Sequence, residues 1–193
     1  MSTFVLATAN AHKTQELREI LQPLGVTLLP RPANVPDVVE DGDTLEANAL
    51  IKARALVAAT GHAAIADDTG LFVDALDGAP GVHSARYAGE DATNEENVEK
   101  LLVALAHIPS TQRAARFRTV AAVAYPDGSS VVVEGSLEGT IIDDVRGSGG
   151  FGYDPVFALA DGRTLSELSS QEKNEISHRG RAFRALVEIL QIP

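Results

Sequence analysis

Short apolar runs rich in β-branched residues alternate along this chain with longer segments whose apolar residues recur every three or four positions. That alternation restricts the fold to helices packed on a sheet. Thr3 to Thr8 reads as a strand running into the polar stretch Ala9-Asn10-Ala11-His12-Lys13. Leu17, Ile20, Leu21 and Leu24 follow at helical spacing, and Gly25 stops that helix before the apolar run Val26 to Leu29. An irregular stretch with Pro30, Pro32 and Pro36 leads to the acidic cluster Glu40-Asp41-Gly42-Asp43. Asp43 and Glu46 have the spacing of a capping pair for a helix over about 44 to 60. Ala63 to Ala66 and Leu71 to Leu76 read as two strands separated by the turn Asp67-Asp68-Thr69-Gly70. Thr93 and Glu96 form a capping box for a helix bearing Val98, Leu101, Leu102 and Leu105. Residues 115 to 125 and 130 to 138 predict a hairpin about Pro126-Asp127-Gly128-Ser129, and Phe183, Leu186, Val187 and Leu190 line a final helix. The hairpin and the close pair of strands exclude an all-parallel sheet, so an α/β or α+β domain with a mixed sheet is expected.

The charge balance limits the function classes. The 193 residues carry 27 acidic and 16 basic side chains, a formal charge of −11 at pH 7. Nucleic-acid polymers bind through counterion release at cationic surfaces, so no such partner is expected and any phosphate must be held locally. With 45% hydrophobic and 22% charged residues the chain has the composition of an ordinary folded domain, and its length suits one domain over 1–193, expected to be bilobed. There is no cysteine, which removes thiolate nucleophiles and Cys-based metal sites and fits a reducing cytoplasm. The N-terminus lacks a basic region followed by a long apolar stretch, and no run of about eighteen apolar residues occurs, so neither export nor membrane spanning is expected. His12, His62, His83, His107 and His178 are scattered without the pairing a zinc helix needs.

Four places could carry chemistry. Asp67 and Asp68 end an apolar run, where ligands bind in open α/β sheets. With Glu40 and Asp41 they could gather Mg²⁺, which takes oxygen ligands and bridges carboxylates to phosphates. A turn with solvated acids is equally compatible with that stretch. Thr8 to Lys13 joins a strand to a helix, where backbone N–H groups favour a phosphate, and Lys13 could add its charge; an ordinary helix start is the alternative. Of the four lysines, Lys13, Lys52 and Lys173 lie near polar or acidic clusters, and Lys100 reads as surface. Gly147 to Gly152 has dinucleotide-fingerprint spacing but no strand before it and no helix after it, so a Rossmann site is rejected. Phe151 in that loop could stack on a planar base or simply pack in the core. Ser177-His178-Arg179-Gly180 opens the last helix, and Arg179 offers a fork of donors for a carbonyl or phosphate. For Arg181 and Arg184 a solvated basic face is preferred. No Walker lysine motif and no nucleophilic triad can be argued from the spacing.

These residues, in order, bring out a likeness. Thr8-Ala9-Asn10-Ala11-His12-Lys13, Ala66-Asp67-Asp68-Thr69-Gly70-Leu71, Gly78 to Tyr87, Gly150-Phe151-Gly152-Tyr153-Asp154-Pro155 and Ser177-His178-Arg179-Gly180 resemble the inosine/xanthosine triphosphate pyrophosphatase family over nearly the whole chain. The resemblance implies an α/β fold, an elongated mixed β-sheet flanked by helices in two lobes with a central cleft. It implies a cytoplasmic, homodimeric, Mg²⁺-dependent enzyme that splits ITP, dITP and XTP into the monophosphate and pyrophosphate. It puts the triphosphate on Thr8, Ala9, Asn10, Ala11, His12, Lys13 and Lys173, and the metal on Asp68 and Glu40, with Asp68 also the proton acceptor for the attacking water. It gives Thr69, Phe151, Gly152, Tyr153, Asp154, His178 and Arg179 to substrate contacts. Ala9, Thr69 and Ala47 depart from the family's usual Gly, Ser and Glu. The loss of a carboxylate at Ala47 leaves open which of Glu40, Asp41 and Glu46 completes the metal site. Arg179 or backbone N–H groups facing a 6-oxo acceptor would account for rejection of adenine, since stranded buried donors discriminate by ~10⁴ or more. A pyrophosphatase for modified pyrimidine or methylated nucleotides, or a sensor without turnover, are the competing expectations.

Overall fold

A computed structural model describes residues 2–191. Its sheet is mixed and flanked by helices, as expected, with strand order β2-β1-β3-β5-β6-β7 and β4 on β3. The strands are β1 (Ser2–Leu6), β2 (Val26–Leu29), β3 (Ala64–Val73), β4 (Pro80–Gly81), β5 (Ala114–Ala124), β6 (Ser130–Ile141) and β7 (Phe157–Ala158). The helices are α1 (Ala11–Leu21), α2 (Leu45–Thr60), α3 (Asn94–Leu105), α4 (Ser170–Ile176) and α5 (His178–Ile189). β1 lies parallel to β2 and to β3, whereas β3/β4 and β6/β7 are antiparallel. β5 and β6 are neighbours joined at Tyr125–Ser129, the expected hairpin. Among the described residues no helix is long and apolar enough to cross a membrane.

Helix ends follow local chemistry. The Asn10 side chain caps α1 by accepting from the Lys13 N–H, and the Thr93/Glu96 box caps α3. At α2 the cap is Thr44, one residue later than the expected Asp43, and Gly61 closes the helix at φ 69°, a left-handed conformation that glycine adopts without penalty.

Two compact units divide the chain. The first takes residues up to Asp68, Thr119–Gly135 and those from His178 on, and the second takes Thr69–Arg118 and Ser136–Ser177. Alternation along the strands builds the first unit's core. Phe4, Leu6, Ile65, Ala121 and Val123 pack with Leu17, Ile20 and Leu21 of α1 and Phe183, Leu186 and Val187 of α5. Their strand neighbours Val5, Ala7, Ala64, Ala66 and Ala124 pack on Ala53 and Leu56 of α2. The second unit's core gathers Leu71, Val73, the α3 residues Val98, Leu101 and Leu105, and Phe117 against Phe157, whose ring centroids are 4.7 Å apart.

The largest departure from expectation is at Asp67-Asp68-Thr69-Gly70. No turn forms there, because β3 runs unbroken through all four residues. Two adjacent carboxylates are costly to bury unpaired. Here both are paired, so the strand continues. Gly70 completes the arrangement, since a Cβ on it would stand 2.5 Å from the Gly81 carbonyl oxygen of β4.

Candidate active site

Adjacent strand residues face opposite ways, and β3 therefore presents Asp67 and Asp68 to different partners. Asp67 is buried. Its Oδ2 accepts from Arg179 Nε and Nη2 at 3.3 and 3.2 Å and lies 3.3 Å from Lys13 Nζ. Arg179 Nη1 donates to Glu16 Oε2 at 2.6 Å, so α1, through Lys13 and Glu16, and the first turn of α5 are tied to β3 through charge. Burial alone would raise the Asp67 carboxyl, but Lys13, Arg179 and Lys52 outweigh it and hold the group far below the usual carboxylate range. Burial lowers Lys13 from its ordinary value even though Asp67 pulls it up.

Asp68 retains access to solvent, its side chain being 10% exposed against 0% for Asp67. Asp68 Oδ1 accepts from Lys52 Nζ at 2.8 Å, and the same ammonium donates to Glu40 Oε2 at 2.9 Å. Asp68 Oδ2 accepts from Asn48 Nδ2 at 3.3 Å. Burial pushes the Asp68 carboxyl up, against the pull of Lys52. Burial also opposes the charge on Lys52, but Asp68, Asp67 and Glu40 together raise it, so the ammonium is firmly cationic. Of the three acids considered as partner to Asp68, Glu40 shares a cation with it, whereas Asp41 and Glu46 are exposed.

Among the described residues no group of three or more His, Asp or Glu forms a ready-made metal cage. The donor set nevertheless suits Mg²⁺, which keeps several waters and commonly takes one or two carboxylates together with substrate phosphates. Glu40 and Asp68 supply two hard oxygen donors already bridged by one cation, Lys52. Beside them α1 begins after its cap Asn10, with Lys13 in its first turn. Thr8 Oγ1 accepts from the Asn10 N–H at 3.1 Å, which orders the loop that enters the helix. His178 is buried at the start of α5, where its carbonyl oxygen packs so closely on β6 that only Gly135 fits there.

The second unit holds its own cluster. Lys173, which is buried, donates to Asp154 Oδ2 at 2.6 Å and stands 4.8 Å from the centre of the Phe151 ring. The same Asp154 oxygen accepts from the Phe151 N–H at 2.9 Å. Gly150 has φ 70°, and a Cβ there would overlap that carboxylate. Gly152 also takes a left-handed φ, 64°. Tyr153 is a core residue whose hydroxyl donates to the Ser84 carbonyl at 2.8 Å. Thr69 is partly buried and directly follows Asp68 on β3.

Thus the structure brings Lys13, Asp67, Asp68, Glu40 and Arg179 together in one unit, and Phe151, Asp154 and Lys173 together in the other. Three participants were not singled out as site residues from the sequence. Lys52 and Asn48 are four apart on α2 and Glu16 is three after Lys13 on α1, so each shares a helix face with another member of the cluster.

The Ham1 family model matches residues 4–189 of this chain. A Symbiobacterium thermophilum protein named dITP/XTP pyrophosphatase is 48% identical over 186 residues, 96% of this chain and 93% of that protein. A Streptomyces coelicolor protein of the same name is 49% identical, covering 99% of this chain and 98% of its own. Among solved structures, a HAM1 protein from Coxiella burnetii superposes with a TM-score of 0.89 at 42% identity, over 99% of both chains. A nucleoside-triphosphatase / dITP/XTP pyrophosphatase from Mycobacterium abscessus gives a TM-score of 0.77 at 44% identity, over 97% of this chain and 99% of that one.

Proposed function

This chain belongs to the Ham1 family, and on that premise we propose that it hydrolyses the non-standard purine nucleoside triphosphates ITP, dITP and XTP to the monophosphate and pyrophosphate. The observation that carries the reading is the pair Asp68 and Glu40 sharing the Lys52 ammonium in the same unit as Lys13 and the α1 N-terminus. Phosphoryl transfer requires a positioned nucleophile and neutralisation of negative charge that spreads over the phosphate oxygens. Lys13 and the N–H groups at the start of α1 hold the phosphate chain. Asp68, the carboxylate with solvent access, orients the attacking water and takes its proton. Asp67, enclosed by Lys13 and Arg179, serves to place those cations. Glu40 and Asp68 are the residues that would hold Mg²⁺, and that ion would supply charge neutralisation and a more acidic water.

Phe151 and the residues around it are proposed to contact the substrate. The Lys173–Asp154 pair supports a role for Lys173 in holding the Phe151 loop rather than in gripping phosphate. Rejection of adenine rests on donors facing a 6-oxo acceptor, and rejection of guanine, which shares that acceptor, rests on its 2-amino group. Arg179 is already held by Asp67 and Glu16, which favours backbone N–H groups as those donors. The reading extends to a homodimer working in the cytoplasm, checked by light scattering and by fractionation.

Incubation with Mg²⁺ and ITP, dITP, XTP, ATP, GTP and a modified pyrimidine triphosphate tests the reading. Monophosphate and pyrophosphate from the first three, far above the rest, is the expected result. Release of orthophosphate, equal turnover of all substrates, or binding of ITP without hydrolysis overturns it.

A further inference from the structure

The Asn48 side chain joins the loop that carries Glu40 to the strand that carries Asp68. Resting on the metal site proposed above, we propose that Asn48 is a positioning residue: it ties the Glu40 loop to Asp68 and so sets how well the two carboxylates act as a pair. Asn48 closes the first turn of α2 and is 1% exposed. Its Oδ1 accepts from the Gly42 N–H at 2.8 Å, and its Nδ2 donates to Asp68 Oδ2 at 3.3 Å. The amide has one orientation that serves both ends, because only its carbonyl can accept from a backbone N–H and only its NH₂ can donate to a carboxylate. Gly42 allows the loop to come this close. A Cβ there would stand 2.7 Å from both Asn48 Oδ1 and the Ala47 Cβ.

Two links therefore join the acids, and they differ in kind. Lys52, one turn after Asn48, donates to both carboxylates, so its charge competes with any divalent cation for the same oxygens. Asn48 is neutral and holds the loop and strand in register without competing. A group of that kind, one step behind the ligands, typically changes metal affinity or activity 10–100-fold when it is lost.

The test compares the whole wild-type protein with Asn48→Leu and Gly42→Ala. The first keeps the branched shape and removes both hydrogen bonds; the second keeps Asn48 and forces the loop off it. Mn²⁺ affinity is measured by electron paramagnetic resonance without nucleotide, and the Mg²⁺ concentration for half-maximal ITP turnover is measured alongside. Each variant is expected to bind Mn²⁺ about tenfold more weakly and to need about tenfold more Mg²⁺. At saturating Mg²⁺ its KM for ITP should stay within about twofold of wild type, as expected for a group that acts through the metal ligands. Leu56→Ala, a cavity in the core face of the same helix, should lower the melting temperature while leaving metal affinity unchanged. Wild-type Mn²⁺ affinity in a folded variant overturns the proposal, as does a wild-type protein that binds no Mn²⁺. If Asn48→Leu does not fold, Gly42→Ala decides. If the wild type binds Mn²⁺ but does not cleave ITP, the assigned reaction fails while the metal measurements still decide the role of Asn48.

Discussion

Arg179 donates through Nε and Nη2 to a single carboxylate oxygen of Asp67, at 3.3 and 3.2 Å, with neither side chain more than 2% exposed. Glu16 takes the other end of the guanidinium, so one cation is held between two acids inside the protein. Removing it takes a buried cation from both acids and leaves Asp67 to Lys13. A buried pair adds little over a well-packed apolar replacement, but breaking it from one side leaves uncompensated charge. Arg179→Met is therefore expected to lower stability by about 3–5 kcal/mol in urea titration. Arg179→Lys, which keeps the charge but not the two-nitrogen fork, should lose less. Near-wild-type stability of Arg179→Met would show that Asp67 does not depend on this pair.

Asp67 carries a pH signature whose sign follows from its partners. The native state holds its carboxyl far below the ordinary range, so below about pH 5 the unfolded chain binds a proton that the folded chain does not. The stability this group contributes is full above the unfolded pKa and is lost as pH falls toward the native one. Asp67→Asn should thus be much less stable than wild type at pH 7, with the gap narrowing as pH drops from about 5 to 3. Urea titrations of both proteins across that range provide the check, and a constant gap would contradict the pairing.

Asp68→Asn keeps the shape of the side chain and its link to Asn48 but removes the charge shared with Lys52. ITP turnover is expected to fall by at least about 10²–10⁴-fold, the usual contribution of a positioned base. Circular dichroism should remain that of the wild type. Asp67→Asn, by contrast, should show its main effect in stability. Retention of ITP turnover by Asp68→Asn would move the proton acceptor elsewhere.

What was legible in the sequence was mostly local. Asn10 at the start of α1 and the Thr93/Glu96 box of α3 act over three residues, and the alternation of Phe4, Val5, Leu6 and Ala7 depends on the strand alone. The continuous β3 was not legible. Its carboxylates are made tolerable by Lys52, 16 residues away, and Arg179, 112 residues away, and no window along the chain shows those pairings. Burial of Arg179 was hidden for the same reason, since a basic first helical turn looks like a solvated face until its partners are known. The resemblance nevertheless pointed to Asp68, Glu40 and Lys13, which lie in one unit among shared charged partners, because a likeness is carried by local pattern and not by the distant residues that pair with it.

Gly150 offers a test of the Phe151 loop that removes no charged group. Its backbone is left-handed at φ 70°, and a Cβ would overlap Asp154 Oδ2, the oxygen that holds both the Phe151 N–H and Lys173. Gly150→Ala must therefore shift the carboxylate or reshape the loop, and either change loosens Phe151. If Phe151 meets the substrate, KM for ITP should rise about tenfold while kcat at saturation changes little, the pattern of lost uniform binding. Discrimination against ATP should change as well, since the base is what the loop is proposed to touch. An unchanged KM in a variant whose melting temperature has fallen would mean that the Lys173–Asp154 pair stabilises the fold but takes no part in holding the nucleotide.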